Sequence, residues 1–411
     1  MPAGTAALRH RDFRLLVTGS ATSGLGNAVT PVALAFAVLD LGGSATDLGL
    51  VVAAFALAEV VTALLGGVLG DRVSRRLLME GSAAACALTQ VVLALALLQG
   101  WATIPLIGAA GVLNGCLAAL SQPSSQAMTR LTVPAEDLAS AVALRPLVQT
   151  SAAMVGYTLG GVLVAAVGAG WAIGLDALTF ALAALCYGRL RVEGGRGGST
   201  TSMLADLGDG WREVVRHSWL WLLIGQALLY HLFYGGAQSV LGPIVVGDDF
   251  GRTAWGVALG TLMAGFVAGG LVCLWWRPRR TMLVGVPLLS LTAAFPLAMA
   301  LSDRLEVVLL GAFLHGFGLQ VFDVFWNLAI QENVPTDKLA RVYSFDLVGS
   351  FVARPVGLAL TGPVAAVVGL DAWLVVVAVV IAATSLGSLL SRDVRTLERG
   401  APVPGPVPVA G

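Results

Sequence analysis

A single lysine, Lys338, serves a chain of 411 residues. It sits in VPTDKLA and not in a glycine-rich loop, so nothing here cradles a nucleotide's phosphates and ATP hydrolysis is not expected. Cysteine is equally sparse. Cys86, Cys116, Cys186 and Cys273 fall singly inside apolar stretches with no paired spacing, which argues against a disulfide framework or a metal site and leaves them as small core residues. There is no metal-spaced His/Cys set, no nucleophile motif and no soluble catalytic domain, so neither catalytic residues nor a cofactor is expected. Charge is scarce too: Asp, Glu, Lys and Arg together make up 12% of the chain. A soluble protein could not hide the 57% of apolar residues that remain, at a mean hydropathy of +0.85.

What the chain has in quantity is apolar length. Runs long enough to cross a bilayer as helices recur at 13–39, 48–70, 77–98, 104–128, 138–166, 170–190, 219–246, 253–276, 281–301, 306–329, 339–367 and 371–391. The expected fold is therefore an all-α membrane protein of twelve transmembrane helices. Span 1 is too long for a signal-peptide core and no cleavage site follows it, so it is read as a retained helix. Glycine and proline inside the spans are tolerated where neighbouring helices re-satisfy the backbone, and Gly66/Gly70, Gly111/Gly115 and Gly156/Gly160 have the spacing that lets helices approach closely.

The charges sum to zero but are unevenly placed. Arginines gather before span 1, after spans 2, 4, 8 and 12 and around 189–216, and Lys338 with Arg341 follows span 10; the alternate loops carry Asp40, Asp47, Asp248, Asp249, Asp303, Glu306 and Asp371 with only Arg252 and Arg304 as cations. The positive-inside rule then places both termini in the cytoplasm of a cell-membrane protein. The expected organisation is a six-helix half over 1–190, a cytoplasmic connector with an amphipathic segment over 191–218, a second half over 219–395 and a disordered Pro/Gly-rich tail over 396–411.

A repeat supports two halves. Shifting the chain by 201 residues lays 132–168 on 333–369 without a gap, with twelve identities in 37 positions, among them Gly156, Gly161 and Gly168 on Gly357, Gly362 and Gly369. Two pseudo-symmetric six-helix bundles of parallel topology follow, an arrangement that transporters use with the substrate path between the halves.

The turn after span 2 reads GGVLGDRVSRR. Its Gly67, Asp71, Arg72, Arg75 and Arg76 match the G-x-x-x-D-R-x-G-R-[RK] loop of the major facilitator superfamily, with Ser74 where the second glycine is usual. Over about 10–395 the chain resembles that superfamily. The resemblance implies the major facilitator fold and a cytoplasmic gate in which Asp71 pairs locally, with Arg130 or with the start of span 11. LRHRDFRLLVTGSATSGLGNAV, LTVPAEDLASAVAL and LDALTF are similar to the drug-exporter branch that holds macrolide and siderophore efflux proteins. The antiporter motif G-P-x-x-G-G of helix 5 is met by Gly156, Gly160 and Gly161, with Tyr157 in place of its proline.

Charges at membrane depth are costly and mark pathways or pairs. Glu59 in span 2 and Arg354 in span 11 face each other in the resembling fold, and three outcomes are open: a proton-sensitive latch, a constitutive pair or no contact. Asp323, with Gln320 and Asn327 on one helical face of span 10, is a second proton or cation candidate, or an acid satisfied by Gln122 or Gln126. His231 and His315 are candidate proton relays, set against ordinary hydrogen-bonded packing. Asp176 lies toward the outer side, and Arg145 and Asp346, equivalent in the repeat, read as gate or helix-end charges. Asn27, Tyr230, Tyr234, Phe322, Trp326 and Asn327 are the candidate lining of an apolar, aromatic cavity. The resulting expectation is a monomeric, proton-coupled exporter of lipophilic or amphipathic small molecules, with the lipid bilayer, a small-molecule substrate and protons as partners and no nucleic acid. The alternatives are an ion-coupled symporter of a small, possibly anionic solute, and a sensor or enzyme on this fold.

Overall fold

The computed structural model describes residues 3–65, 73–192, 211, 214–276, 278–335 and 338–399. Among the described residues twelve helices are long and apolar enough to span a membrane: α1 Arg11–Asp40, α2 Ala45–Leu65, α3 Arg75–Leu98, α4 Ile104–Leu131, α5 Leu138–Val167, α6 Ala169–Gly188, α7 Ser218–Phe250, α8 Arg252–Trp275, α9 Thr281–Leu301, α10 Leu305–Asn333, α11 Arg341–Val368 and α12 Leu370–Ser388. Each coincides with an expected span, because length and hydropathy decide spanning before any tertiary contact does. An even number of crossings returns the chain to the face on which it began, here called the terminal face; the opposite one is the far face.

Local chemistry sets several helix starts. Ser74, the residue that stands where the gate motif has a glycine, caps α3 by accepting the Leu77 N–H at 3.4 Å, and Thr103 caps α4 in the same way through Leu106. On the far face α5 runs into α6 through Gly168 and α11 into α12 through Gly369, at φ of +89° and +96°. A one-residue turn in that left-handed conformation requires glycine, which is why the repeat keeps both.

Packing repeats as the sequence does. Within the first half α1 packs on α5 and α6, α3 on α4 and α6, and α2 on α4; within the second, α7 packs on α11 and α12, α9 on α10 and α12, and α8 on α10. The coincident glycines sit at the closest approaches. A Cβ on Gly156 would collide with the Leu25 carbonyl of α1, and one on Gly357 with the Leu232 carbonyl of α7. Gly161 of α5 meets Gly256 of α8, where an added Cβ would lie 2.8 Å from Cα, and Gly362 of α11 meets Thr46 of α2 at 2.5 Å. These last two are the helix pairs, α5–α8 and α2–α11, through which the halves meet extensively.

The apolar core is divided along the membrane normal. Toward the far face one continuous core takes residues from both halves, from Val29 and Leu48 to Leu259, Phe295 and Leu374. Toward the terminal face each half has its own: Leu16, Met79, Met128 and Phe180, with Phe13 and Ala141, in the first, and Trp219, Val286, Phe325 and Ile330 in the second. The halves are thus joined at one end and parted at the other.

Three helices depart from regularity. A π-helical segment at Ala237–Leu241 interrupts α7, a 3₁₀ turn at Leu291–Ala293 divides α9, and α11 is interrupted at 352–353, between Leu339–Phe351 and Arg354–Val368. Of the expected connector, 193–210 and 212–213 lie outside the described residues; Val214 is buried in the core of the second half and Trp211 rests on Phe345 at 5.3 Å between ring centres. The chain stays ordered beyond 396, where a disordered tail is expected, because Glu398 pairs with Arg280 and Arg399 with Glu332, each at 3.0 Å. The rest of the tail is outside the described residues.

Candidate functional site

The parted cores leave a cleft between the halves that opens on the terminal face. Its acidic groups come from α2 and α10. Glu59 is half-buried and makes no ion pair with any described residue; Asp323 is exposed and its Oδ1 accepts from the Asn327 amide at 3.2 Å, with the Asp323 carbonyl accepting at 2.8 Å. No hydrogen bond joins Asp323 to Gln122 or Gln126, which are exposed on α4.

Glu59 and Arg354 do not pair. The register explains it: α2 and α11 run antiparallel, and a Cβ on Gly49 would lie 2.6 Å from the Leu358 carbonyl, which sets Ala53 level with Arg354. Glu59 is six residues further along, about 9 Å at 1.5 Å per residue. Arg354 instead lays its stem against α7, where a Cβ on Gly235 would be 3.4 Å from its Cγ.

His315 is enclosed. Its ring is 1% exposed, Nδ1 donates to the Thr292 carbonyl at 2.9 Å and Nε2 accepts the Tyr230 hydroxyl at 3.0 Å. The tautomer follows from chemistry, because a carbonyl can only accept. That carbonyl lies in the 3₁₀ turn of α9, so the histidine takes up an acceptor the irregular turn leaves free. This is the packing role and not an open relay. His231 differs: it is half-buried, its ring lies 4.1 Å from Phe351 and edge-on to Tyr230, and it has no hydrogen bond to a described residue.

The expected aromatic lining is corrected in four places. Tyr230 and Tyr234 are each 5% exposed and bracket His315, while Phe322 and Trp326, at 9% and 7%, stack on each other inside the second half's core. The two tyrosine rings are taken up by His315 of α10, and Phe322 and Trp326 by Gly285 of α9, Trp219 of α7 and Asp346 of α11, all within the second half. Asn27 is exposed on α1, and Asn327 is half-buried beside Asp323.

The repeat-equivalent charges are not helix-end gates. Arg145 is 7% exposed and ties α5 to α4 and α1, donating to the Ser125 carbonyl at 2.6 Å, the Ser125 hydroxyl, Thr129 Oγ1 at 2.5 Å and Ser20 Oγ at 3.3 Å. Asp346 accepts the Trp326 indole N–H at 3.0 Å and the Ser350 hydroxyl at 3.2 Å, joining α10 to α11. Asp176 proves to be the deepest acid. Fully buried, it accepts from Thr30 of α1 at 2.5 Å, Gln90 of α3 at 2.6 Å and Thr179 at 3.2 Å, and a Cβ on Gly26 would collide with it. Depth made Asp176 conspicuous in the sequence; its partners on two other helices had no sequence signal.

Of the gate motif, Gly67, Asp71 and Arg72 lie outside the described residues. Arg76 donates to the Gly188 carbonyl at the end of α6 and lies 3.8 Å from Glu80, and Arg130 is exposed at the end of α4. Arg75 opens α3.

A family model described as Major Facilitator Superfamily matches residues 16–358. The chain belongs to that superfamily. It is similar to the multidrug efflux pump Tap of Mycolicibacterium fortuitum, 28% identical over 373 residues, covering 87% of this chain and 90% of that one. An uncharacterised MFS-type transporter, y4rN of Sinorhizobium fredii, is 26% identical over 74% of this chain and 76% of its own. Among solved structures, a bacterial homologue of the human lysosomal transporter Spinster, in an inward-facing and unoccupied conformation, superposes with a TM-score of 0.72 at 15% identity, covering 98% of this chain and 100% of that one. The nucleoside transporter NupG superposes with a TM-score of 0.72 at 12% identity, over 92% and 98%. At such identities these two speak for the fold alone, a twelve-span membrane transporter fold.

Proposed function

We propose that this superfamily member is a proton-coupled exporter of lipophilic or amphipathic small molecules, working by alternating access between its halves with both termini in the cytoplasm. The observation that carries the reading is the divided core: a shared apolar core toward the far face and separate ones toward the terminal face leave a cleft that is open at one end only. The arginine-rich loops of the terminal face favour the cytoplasm for that opening. The similarity to a multidrug efflux pump supports export.

Coupling to protons needs a group whose charge changes as the cleft changes sides. Glu59 and Asp323 suit this role, since each is a carboxylate on a cleft-forming helix without a cation within ion-pair distance among the described residues. Ionised, such a group favours the hydrated, open cleft; neutralised by a proton, it can be enclosed at lower cost. A proton taken up on the outside thus returns the empty carrier, and release to the cytoplasm reopens it there.

The test is proton movement in liposomes holding the purified protein, with an internal pH dye, an imposed gradient and a panel of lipophilic cations, macrolide-like and siderophore-like compounds. Proton flux should appear only with a compound and opposite to it, and should fall at least tenfold in Glu59→Gln or Asp323→Asn. Compound and proton moving in the same direction would make the protein a symporter; undiminished coupled flux in both variants would remove these two acids from the mechanism.

A further inference from the structure

On the wall of the cleft formed by α5, α7 and α11, hydrogen-bond donors gather without acceptors. Arg354 is half-buried at the start of the second segment of α11 and makes no hydrogen bond or ion pair with any described residue. Its stem lies against Gly235 of α7, one turn on from His231, and its guanidinium is within electrostatic reach of Tyr157, on α5 of the other half. His231 makes no hydrogen bond to a described residue and packs its ring on Phe351 of α11.

Proteins rarely leave such groups unsatisfied, and a guanidinium with its five N–H donors is the most demanding of them. No acid on the neighbouring helices supplies the missing acceptor. Glu59 is displaced along α2 as described, Asp346 is engaged by Trp326 and Ser350, and Asp323 by Asn327. The fork of Arg354 is therefore open to water or to a solute that enters the cleft. Beside the donors, the ring of Phe351, 37% exposed, lies 4.1 Å from that of His231 and presents an aromatic wall next to the charge.

We infer that Arg354, with Tyr157 and His231, forms an oxyanion-binding pole in the cleft, and that the solute is an amphipathic organic acid whose carboxylate or sulfonate docks on Arg354 while its aromatic body lies along Phe351. Arginine suits the role because its planar fork meets two oxygens of one acid group, which a lysine could not. The pole spans the two halves, Tyr157 in one and Arg354 in the other, so a bound acid reads their separation. It also gives a use to the tyrosine that replaces the proline of the antiporter motif. That the acid is exported rests on the reading above; that it binds here does not.

Binding is read directly, by equilibrium dialysis against the full chain in lipid nanodiscs, with empty nanodiscs correcting for partition into lipid. Three probes of one shape are compared: 2-naphthalenesulfonate, the neutral 2-naphthalenesulfonamide and the cation 2-naphthylmethylammonium. The wild type should prefer the sulfonate. Arg354→Gln should weaken it by about tenfold or more, the loss expected for hydrogen bonds to a charged group, while leaving the sulfonamide unchanged. Tyr157→Phe, which keeps the ring and its packing, should weaken the sulfonate by about threefold to tenfold and serves alone should Arg354→Gln not fold. Equal sulfonate affinity in wild type and variants, a preference for the ammonium, or no specific sulfonate binding at all would each overturn the pole. Sulfonate binding without any compound-driven proton flux would overturn the export reading and leave the pole standing; coupled flux with no preference for the anion would do the reverse.

Discussion

The two faces of the bundle are built to different specifications. At the far face the connections through Gly168 and Gly369 are one residue long, backbones of opposite halves touch at Gly161–Gly256 and Gly362–Thr46, and one core runs through both halves. Asp40 at the end of α1 receives both guanidinium nitrogens of Arg252 at the start of α8, one at 2.8 Å. At the terminal face the cores are separate and charged residues sit in the breach. For the alternating access proposed above, the contrast locates the contact that has to part. The far contact relies on close approach of small residues, apolar packing across the halves and one exposed ion pair, whereas each half holds itself together by buried polar ties such as those of Arg145 and Asp176.

The largest effect is expected from blocking the far contact. Gly362→Leu or Gly161→Leu forces a side chain into the facing backbone, where overpacking costs about 1–3 kcal/mol or more. Transport should be lost and the far face should stay open to a membrane-impermeant thiol reagent at an engineered cysteine near Leu41. Gly225→Leu, at a site with nothing within 4 Å of an added Cβ, is the matched control and should transport normally. Protection of the engineered cysteine in Gly362→Leu would show that the far contact is not the closing element.

An intermediate effect is expected within the halves. Arg145→Leu strips the partner from three hydroxyls and a carbonyl and should destabilise the purified protein by about 2 kcal/mol, read as a lower midpoint of thermal unfolding. Asp346→Asn keeps an oxygen to accept the Trp326 N–H and should cost less than about 1 kcal/mol. Comparable losses at these two repeat-equivalent positions would erase the distinction between a tie that holds a half and a lesser bond beside the cleft.

The smallest effect belongs to the exposed pair. Asp40→Asn should change stability by about 0–1 kcal/mol, less so in high salt, because water and ions screen it. A drop as large as that of Arg145→Leu would mean that the pair, and not the glycine contacts, closes the far face.

The twelve helices were legible because bilayer thickness fixes their length, and the two halves because the repeat kept its register. Gly156, Gly161 and Gly168 stood out with their partners, and the structure gives each pair the same task in both halves. Side-chain destination was not legible. Helix rotation sends Tyr230 and Trp326 into the second half's interior, and the axial register of α2 against α11 separates Glu59 from Arg354. Neither rotation nor register can be read from hydropathy where a span is apolar all round. The sequence did hold one signal whose meaning came only with the fold: Tyr157 in place of a proline.

Alternation of the two faces is measured directly by distances between paired spin labels. In a variant lacking the four native cysteines, one pair would sit at positions 130 and 331 on the terminal face and another at 41 and 249 on the far face, in nanodiscs at several pH values with and without a transported compound. Two populations at each face, with the terminal distance shortening as the far distance lengthens, are predicted. A single unmoving distance at both faces, under conditions in which the same protein carries its compound, would contradict it.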